Sequence, residues 1–203
     1  MILKKKYLVI LFLSCISLLG CKNDDDTATT STEFGIFKSI NDTTAEMNGL
    51  ISSDTPTHFD NLLKQYPNLK TINMLQCPGS EDDNANLIVS KKMHDAKIEF
   101  HLFATSAIAS GAVDMYVGGI KRTREPGSKI GVHSWGAGPG EPIATSYPKG
   151  HEVHLPYINY YKSVGFTQKE AEDFYYFTIE AAPAESIHWM TDEEITKYKI
   201  TKP

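Results

Sequence analysis

Beyond residue 33 the sequence switches repeatedly between a period of two and a period near 3.6, and this alternation narrows the fold more than any other feature. Glu33 to Ile40 and Thr44 to Ile51 alternate around Asn41-Asp42, which predicts two short strands. Thr55-Pro56 offers an N-cap with proline at the first helical position, and Phe59, Leu62 and Leu63 form a stripe that stops at Pro67. There follow a short apolar run over Thr71 to Leu75, the turn Cys77-Pro78-Gly79-Ser80 and a helix over Asp83 to Ala96. The strand Lys97 to Phe103, a turn of small residues and a helix near Ser110 to Val117 complete the series. Strand and helix in alternation imply right-handed crossovers onto a buried sheet, an α/β fold.

Past Gly118-Gly119, two more short strands are expected at Arg122 to Glu125 and Ser128 to His133, parted by Pro126-Gly127. Trp135 to Lys149 is rich in Gly and Pro, and irregular stretches of that length in a compact fold are usually functional. Tyr157 to Val164 reads as an aromatic helix. Thr167-Gln168-Lys169-Glu170 and Thr191-Asp192-Glu193-Glu194 are capping boxes that open two more helices. The aromatics from Tyr157 to Phe177 at helical spacing serve most simply as core or as an oligomer contact.

The beginning of the chain follows a different rule. Lys4, Lys5 and Lys6 precede an apolar run, Tyr7 to Leu19, too short to cross about 30 Å of hydrocarbon as a helix, so residues 1–20 read as an export signal. The run ends in Leu18-Leu19-Gly20-Cys21, which resembles the lipobox of bacterial lipoproteins. That resemblance implies cleavage before Cys21 and a lipid-modified thiol, a palmitate-type anchor that tethers the domain to a membrane without crossing it. Residues 21–33, with Lys22 and Asp24 to Asp26, have the composition of a flexible acidic tether, and residues 34–203 are left for a single α/β domain. The acidic run after the cysteine is similar to the surface-export signal of Bacteroidetes lipoproteins. Two placements in the bacterial envelope stay open, both most simply at the outer membrane: the outer cell face, or the periplasm.

Charge and cysteine content fit this picture. Of 20 basic residues, three lie in the signal, which leaves 17 against 25 acidic ones. So acidic a chain has no electrostatic footprint for nucleic acid. Cys15 leaves with the signal and Cys77 has no partner, so no disulfide framework is expected.

Chemistry in open α/β folds gathers at turns that lead from strands into helices. Pro78-Gly79-Ser80 leaves backbone amides accessible, and Ala104 to Ala112 places hydroxyls where a helix begins. A serine there is placed to attack a carbonyl while neighbouring amides hold the oxyanion, with His133 as base. These residues carry a family resemblance. Pro78-Gly79-Ser80, Ala109-Ser110-Gly111-Ala112, Gly119, Arg122 and Ile130-Gly131-Val132-His133 are similar to the Clp protease proteolytic subunit and its relatives in the crotonase-like superfamily. The resemblance spans about Gly49 to the C-terminus. It implies repeated ββα units, a mainly parallel sheet flanked by helices, and a serine peptidase or other hydrolase working through an acyl-enzyme. In that scheme Ser110 is the nucleophile and His133 the base, and Gly79 and Gly111 form the oxyanion hole. Glu185 is the third triad member, with Glu180 as the alternative.

Ser110 lies nine residues before Gly119 and 23 before His133, spacings close to those of the family, and is preferred to Ser106. The competing explanations are a small residue that lets a helix pack closely and a histidine satisfied in the core. Ser80 departs from the family's second turn glycine, Glu81-Asp82-Asp83 adds acid beside it, and Asp114 is an unexpected acid in an apolar helix. A binding lipoprotein that has lost the chemistry therefore stands beside the hydrolase. An acyl-coenzyme A enzyme is a third reading, disfavoured outside the cytoplasm. His151 and His154 are three apart, unlike the four of the zinc-protease helix, so no metal or other cofactor is expected. The expected partners are a peptide or protein substrate and the membrane, and a homo-oligomer is among the assemblies the resemblance allows.

Overall fold

A computed structural model of the chain describes residues 32–136 and 142–203, within one unit, Ser31–Pro203. The export signal, Cys21, the tether up to residue 31 and the middle of the Gly/Pro-rich loop lie outside the described residues. Glu33, which the sequence reading counts both as the end of the tether and as the start of the first strand, lies in that strand.

Strands β1 (Glu33–Phe34), β2 (Phe37–Asn41) and β3 (Thr44–Met47) form an antiparallel meander. Helix α1 (Thr55–Gln65) leads to β4 (Thr71–Cys77), α2 (Asp83–Asp95) to β5 (Glu99–Ala109), and α3 (Gly111–Val117) to β6 (Lys121–Arg124) and β7 (Lys129–Val132). Two 3-10 turns precede α4 (Leu155–Ser163), α5 (Gln168–Ala181), β8 (His188–Trp189) and α6 (Asp192–Lys197). The strands make one sheet in the order β1-β2-β3-β4-β5-β7-β8, with β6 also on β5. Pairing from β3 through β7 is parallel, and β8 returns antiparallel.

Along β4, Ile72, Met74 and Cys77 are buried among Phe59 and Leu62 of α1 and Val89 and Met93 of α2, the apolar core that holds the helices to the sheet. Both capping boxes form as the sequence predicts, with Thr167 opening α5 and Thr191 opening α6. Thr55 is not the N-cap of α1. Asp54 occupies that position, and the Thr55 hydroxyl instead accepts the Ser52 N–H at 2.9 Å.

The largest difference from the sequence expectation is the length of β5. Ala104 to Ala109 is not a free turn, because the strand runs on to Ala109 in two segments joined by a bulge. Its first part pairs Leu102 with Met74, and its second pairs Ala107 with Gln76. Ser106 closes the bulge: its buried hydroxyl donates to the Met74 carbonyl (2.6 Å) and accepts the Phe103 N–H (3.0 Å). The extra residues change the partner of β5 from β6 to β7, so that it ends beside β7.

Candidate functional site

Ser110 sits where β5 ends and α3 begins, with φ 52° and ψ −131°. Only three described non-glycine residues have positive φ, and the other two close ordinary turns. Such a conformation costs of order 1–3 kcal/mol and persists only where its surroundings impose it. Here the Ser110 N–H donates to the Gly131 carbonyl (3.0 Å) and its carbonyl accepts the Val113 N–H (2.8 Å). The side chain does not cap α3, so the hydroxyl is not committed to the helix. Ser106, one helical turn away only if the segment were helical, lies in the strand and is fully occupied with the bulge.

The Pro78-Gly79-Ser80 turn interlocks with this elbow through two glycines. Gly79 has φ 135°, its carbonyl accepts the Ile51 N–H (2.9 Å), and a Cβ placed on it would meet Ser110 Cβ at 2.8 Å and Oγ at 3.2 Å. A Cβ on Gly111 would collide with Ser80 Oγ and with Asn86 Nδ2. Each glycine therefore makes room for the serine of the other segment. Gly111 is the first residue of α3, where N–H groups have no partner within the helix.

His133 follows β7 directly, two residues after the carbonyl that holds Ser110. The Ser134 N–H donates to the Ala182 carbonyl (2.8 Å) and fixes the chain there. Ser110, Gly111 and His133 line a common cavity of about 190 Å³. His133 Nδ1 is buried and has no hydrogen-bond partner. The third member assigned from sequence is thus not brought to it. Glu185 is exposed and does not line the cavity, while Glu180 pairs with Lys149 at 2.7 Å. Glu180 lies on the exposed last turn of α5 and Glu185 on the exposed segment after it, where a carboxylate is better solvated than buried against an imidazole.

The acidic residues beside the turn divide by role. Asp82 caps α2 by accepting the Ala85 N–H (2.9 Å). Asp83 accepts Ser80 Oγ–H (2.7 Å) and Tyr157 O–H (2.6 Å) and lines the cavity. Asp114, one turn past Ser110, accepts Tyr161 O–H (2.5 Å) and Asn86 Nδ2–H (3.4 Å), while the Tyr160 hydroxyl donates to its carbonyl (2.8 Å). Burial pushes the Asp114 carboxyl up to about 7, with Asp83 adding to the rise and the Tyr161 hydrogen bond opposing it. Tyr157, Tyr161 and Asn86 were missed as site residues in the sequence. Their signal was the aromatic stripe at Tyr157, Tyr160 and Tyr161, which reads equally well as core.

Among the described residues no group of three potential metal ligands comes together. His154 is buried against the Tyr175 hydroxyl (Nδ1, 2.8 Å), and His151 Nδ1 accepts the Val153 N–H (3.2 Å).

No protein-family model and no curated protein sequence matches the chain. Solved structures do. A serine-to-alanine variant of a membrane-bound stomatin-specific protease superposes with a TM-score of 0.51 at 21% identity, covering 79% of this chain and 76% of that one. A lysine-to-alanine variant of that protease, in complex with a substrate peptide, gives 0.51 at 22% identity over 79% and 72%. The fold is the Clp protease and crotonase-like α/β fold.

Proposed function

We propose that this chain is a lipid-anchored serine hydrolase acting on peptides or proteins through an acyl-enzyme on Ser110. The observation that carries the reading is the Ser110 backbone, held at positive φ between β5 and α3 with its hydroxyl uncommitted and facing Gly79. A strand-to-helix elbow of this kind exposes a nucleophile at the end of a sheet. The likeness of fold to a protease solved with a substrate peptide supports a peptide as the substrate class.

In the proposed reaction, Ser110 Oγ attacks the carbonyl carbon while His133 takes its proton. The displaced electron pair moves to the carbonyl oxygen, which the N–H groups of Gly79 and Gly111 receive. Collapse of the tetrahedral species breaks the C–N bond, and His133 returns the proton to the departing amine. Water, deprotonated by the same imidazole, then releases the acid. In this reading His133 works without the third carboxylate that orients the base in other serine hydrolases.

Cys21 belongs to the same proposal as the attachment point of diacylglycerol, which would place the domain on the bacterial envelope. No helix among the described residues is long and apolar enough to cross a membrane. A second reading, a binding lipoprotein without turnover, is favoured by one observation, the unpartnered His133 Nδ1. Labelling with a fluorophosphonate separates the two: the hydrolase is labelled at Ser110, and the binding protein is not.

A further inference from the structure

The cavity that holds Ser110 and His133 also holds two carboxylates that the proposed chemistry leaves unused. Asp83 opens α2, and Asp114 lies one turn beyond Ser110 in α3. All of their hydrogen-bond donors are neutral: Ser80 and Tyr157 on Asp83, Tyr161 and Asn86 on Asp114. Each oxygen takes one donor, where an ionised carboxylate has room for about two. No lysine or arginine lines the cavity among the described residues, and its remaining titratable groups are His133 and the tyrosines 157, 161 and 175. The Asp114 carboxylate is largely withdrawn from water without a cation and is held at a cost, of which its raised carboxyl is the sign, while Asp83 adds its charge from the exposed rim of the same cavity. A cation entering with a ligand would remove that cost. At about 190 Å³ the cavity is smaller than the roughly 300 Å³ at which whole-ligand pockets begin, and suits one side chain. The same recess is lined by Ser110 and His133, so a side chain held in it lies beside the reacting hydroxyl.

We propose that this recess is the specificity pocket and that it takes the side chain of a lysine or arginine flanking the scissile bond, selected by Asp114 and Asp83. The proposal rests on the serine-hydrolase reading, but its test does not depend on turnover. Peptides capped at both ends, carrying one lysine, ε-acetyl-lysine or leucine at the same position, are titrated calorimetrically against the full chain bearing Ser110→Ala. The lysine peptide is expected to bind at least tenfold more tightly than the other two, and Asp114→Asn or Asp83→Asn is expected to erase the difference. Asp83 is exposed, so its variant keeps the test valid if Asp114→Asn fails to fold. Equal binding of the three peptides, no binding of any, or a preference that survives both substitutions would overturn the proposal. A lysine preference in a chain that fluorophosphonate does not label would overturn the hydrolase reading and leave the cation pocket standing. With an active chain, cleavage mapped by mass spectrometry beside leucine rather than lysine or arginine would overturn the pocket alone. An uncapped leucine peptide is the final arm: tight binding there and not to the capped lysine peptide would assign the recess to a free amino terminus and overturn the side-chain assignment.

Discussion

The conformation of Ser110 is a local cost that its neighbours impose, and Gly79 is the neighbour with least tolerance. A side chain at Gly79 would meet both the Ser110 Cβ and Oγ while itself sitting at φ 135°. Under the proposed mechanism Gly79→Ala keeps its N–H but crowds Ser110 and shifts the turn, and is expected to lower kcat by about 10²–10³, a loss comparable to that of one misplaced oxyanion donor, while circular dichroism shows the fold retained. Asp114 gives a prediction with a definite sign. The folded chain holds that proton up to about pH 7, whereas an unfolded aspartate releases it near 3.8, so the folded state binds more protons between these values. Stability therefore falls as pH rises through that window and is level above it, at about 1.4 kcal/mol for each pH unit of displacement. Urea denaturation at pH 5 and pH 8 is expected to show a decline in the wild type that Asp114→Asn reduces. An equal decline in both would contradict the assignment. That Ser110 and His133 come to one cavity was legible in the sequence, because their spacing is a property of the chain. The orphaned Nδ1 and the exposure of Glu185 were not, because they depend on how the segment after α5 is carried past β7.

At the scale of the elements, helices were legible where local chemistry fixes them, as the boxes at Thr167 and Thr191 show. The second half of β5 was not. Ala104-Thr105-Ser106-Ala107 has no apolar alternation and reads as a turn, yet Ser106 binds it into the sheet through the Met74 carbonyl. Ser106→Ala leaves that buried carbonyl and the Phe103 N–H without the hydroxyl. A loss of about 1–3 kcal/mol in chemical denaturation is expected, together with weaker fluorophosphonate labelling, since the bulge sets where Ser110 emerges. Arg122 has the corresponding part on the other side of α3. Its guanidinium is buried and donates to the carbonyls of Val117 (2.9 Å), Gly119 (3.0 Å), Lys199 (2.8 Å) and, through Nε, Ile200 (2.7 Å). It needs no carboxylate, because the carbonyl end of a helix attracts a cation. Arg122→Met is expected to destabilise the chain by several kcal/mol, on the order of 3, and to free the C-terminal segment for hydrogen exchange.

For the molecule as a whole, the α/β alternation was enough to indicate the architecture, and the fold of a protease at 21% identity agrees with it. Acidity, read from the sequence as an obstacle to catalysis, is distributed by the structure into a helix cap at Asp82 and a cavity wall at Asp83 and Asp114. The proposed anchor is a whole-molecule property with its own test. In cells fed radiolabelled palmitate, the chain is expected to take up label and sediment with membranes, and Cys21→Ser to abolish both. Label retained by the variant would contradict attachment at Cys21. The central claim is that the Ser110 elbow is a working nucleophile. Its most direct measurement is reaction of the folded chain with a fluorophosphonate, followed by peptide mapping. One phosphonate on Ser110 is expected in the wild type, with none in Ser110→Ala and strong attenuation in His133→Ala. A folded wild-type chain that stays unlabelled, or label that persists in Ser110→Ala, would contradict the account.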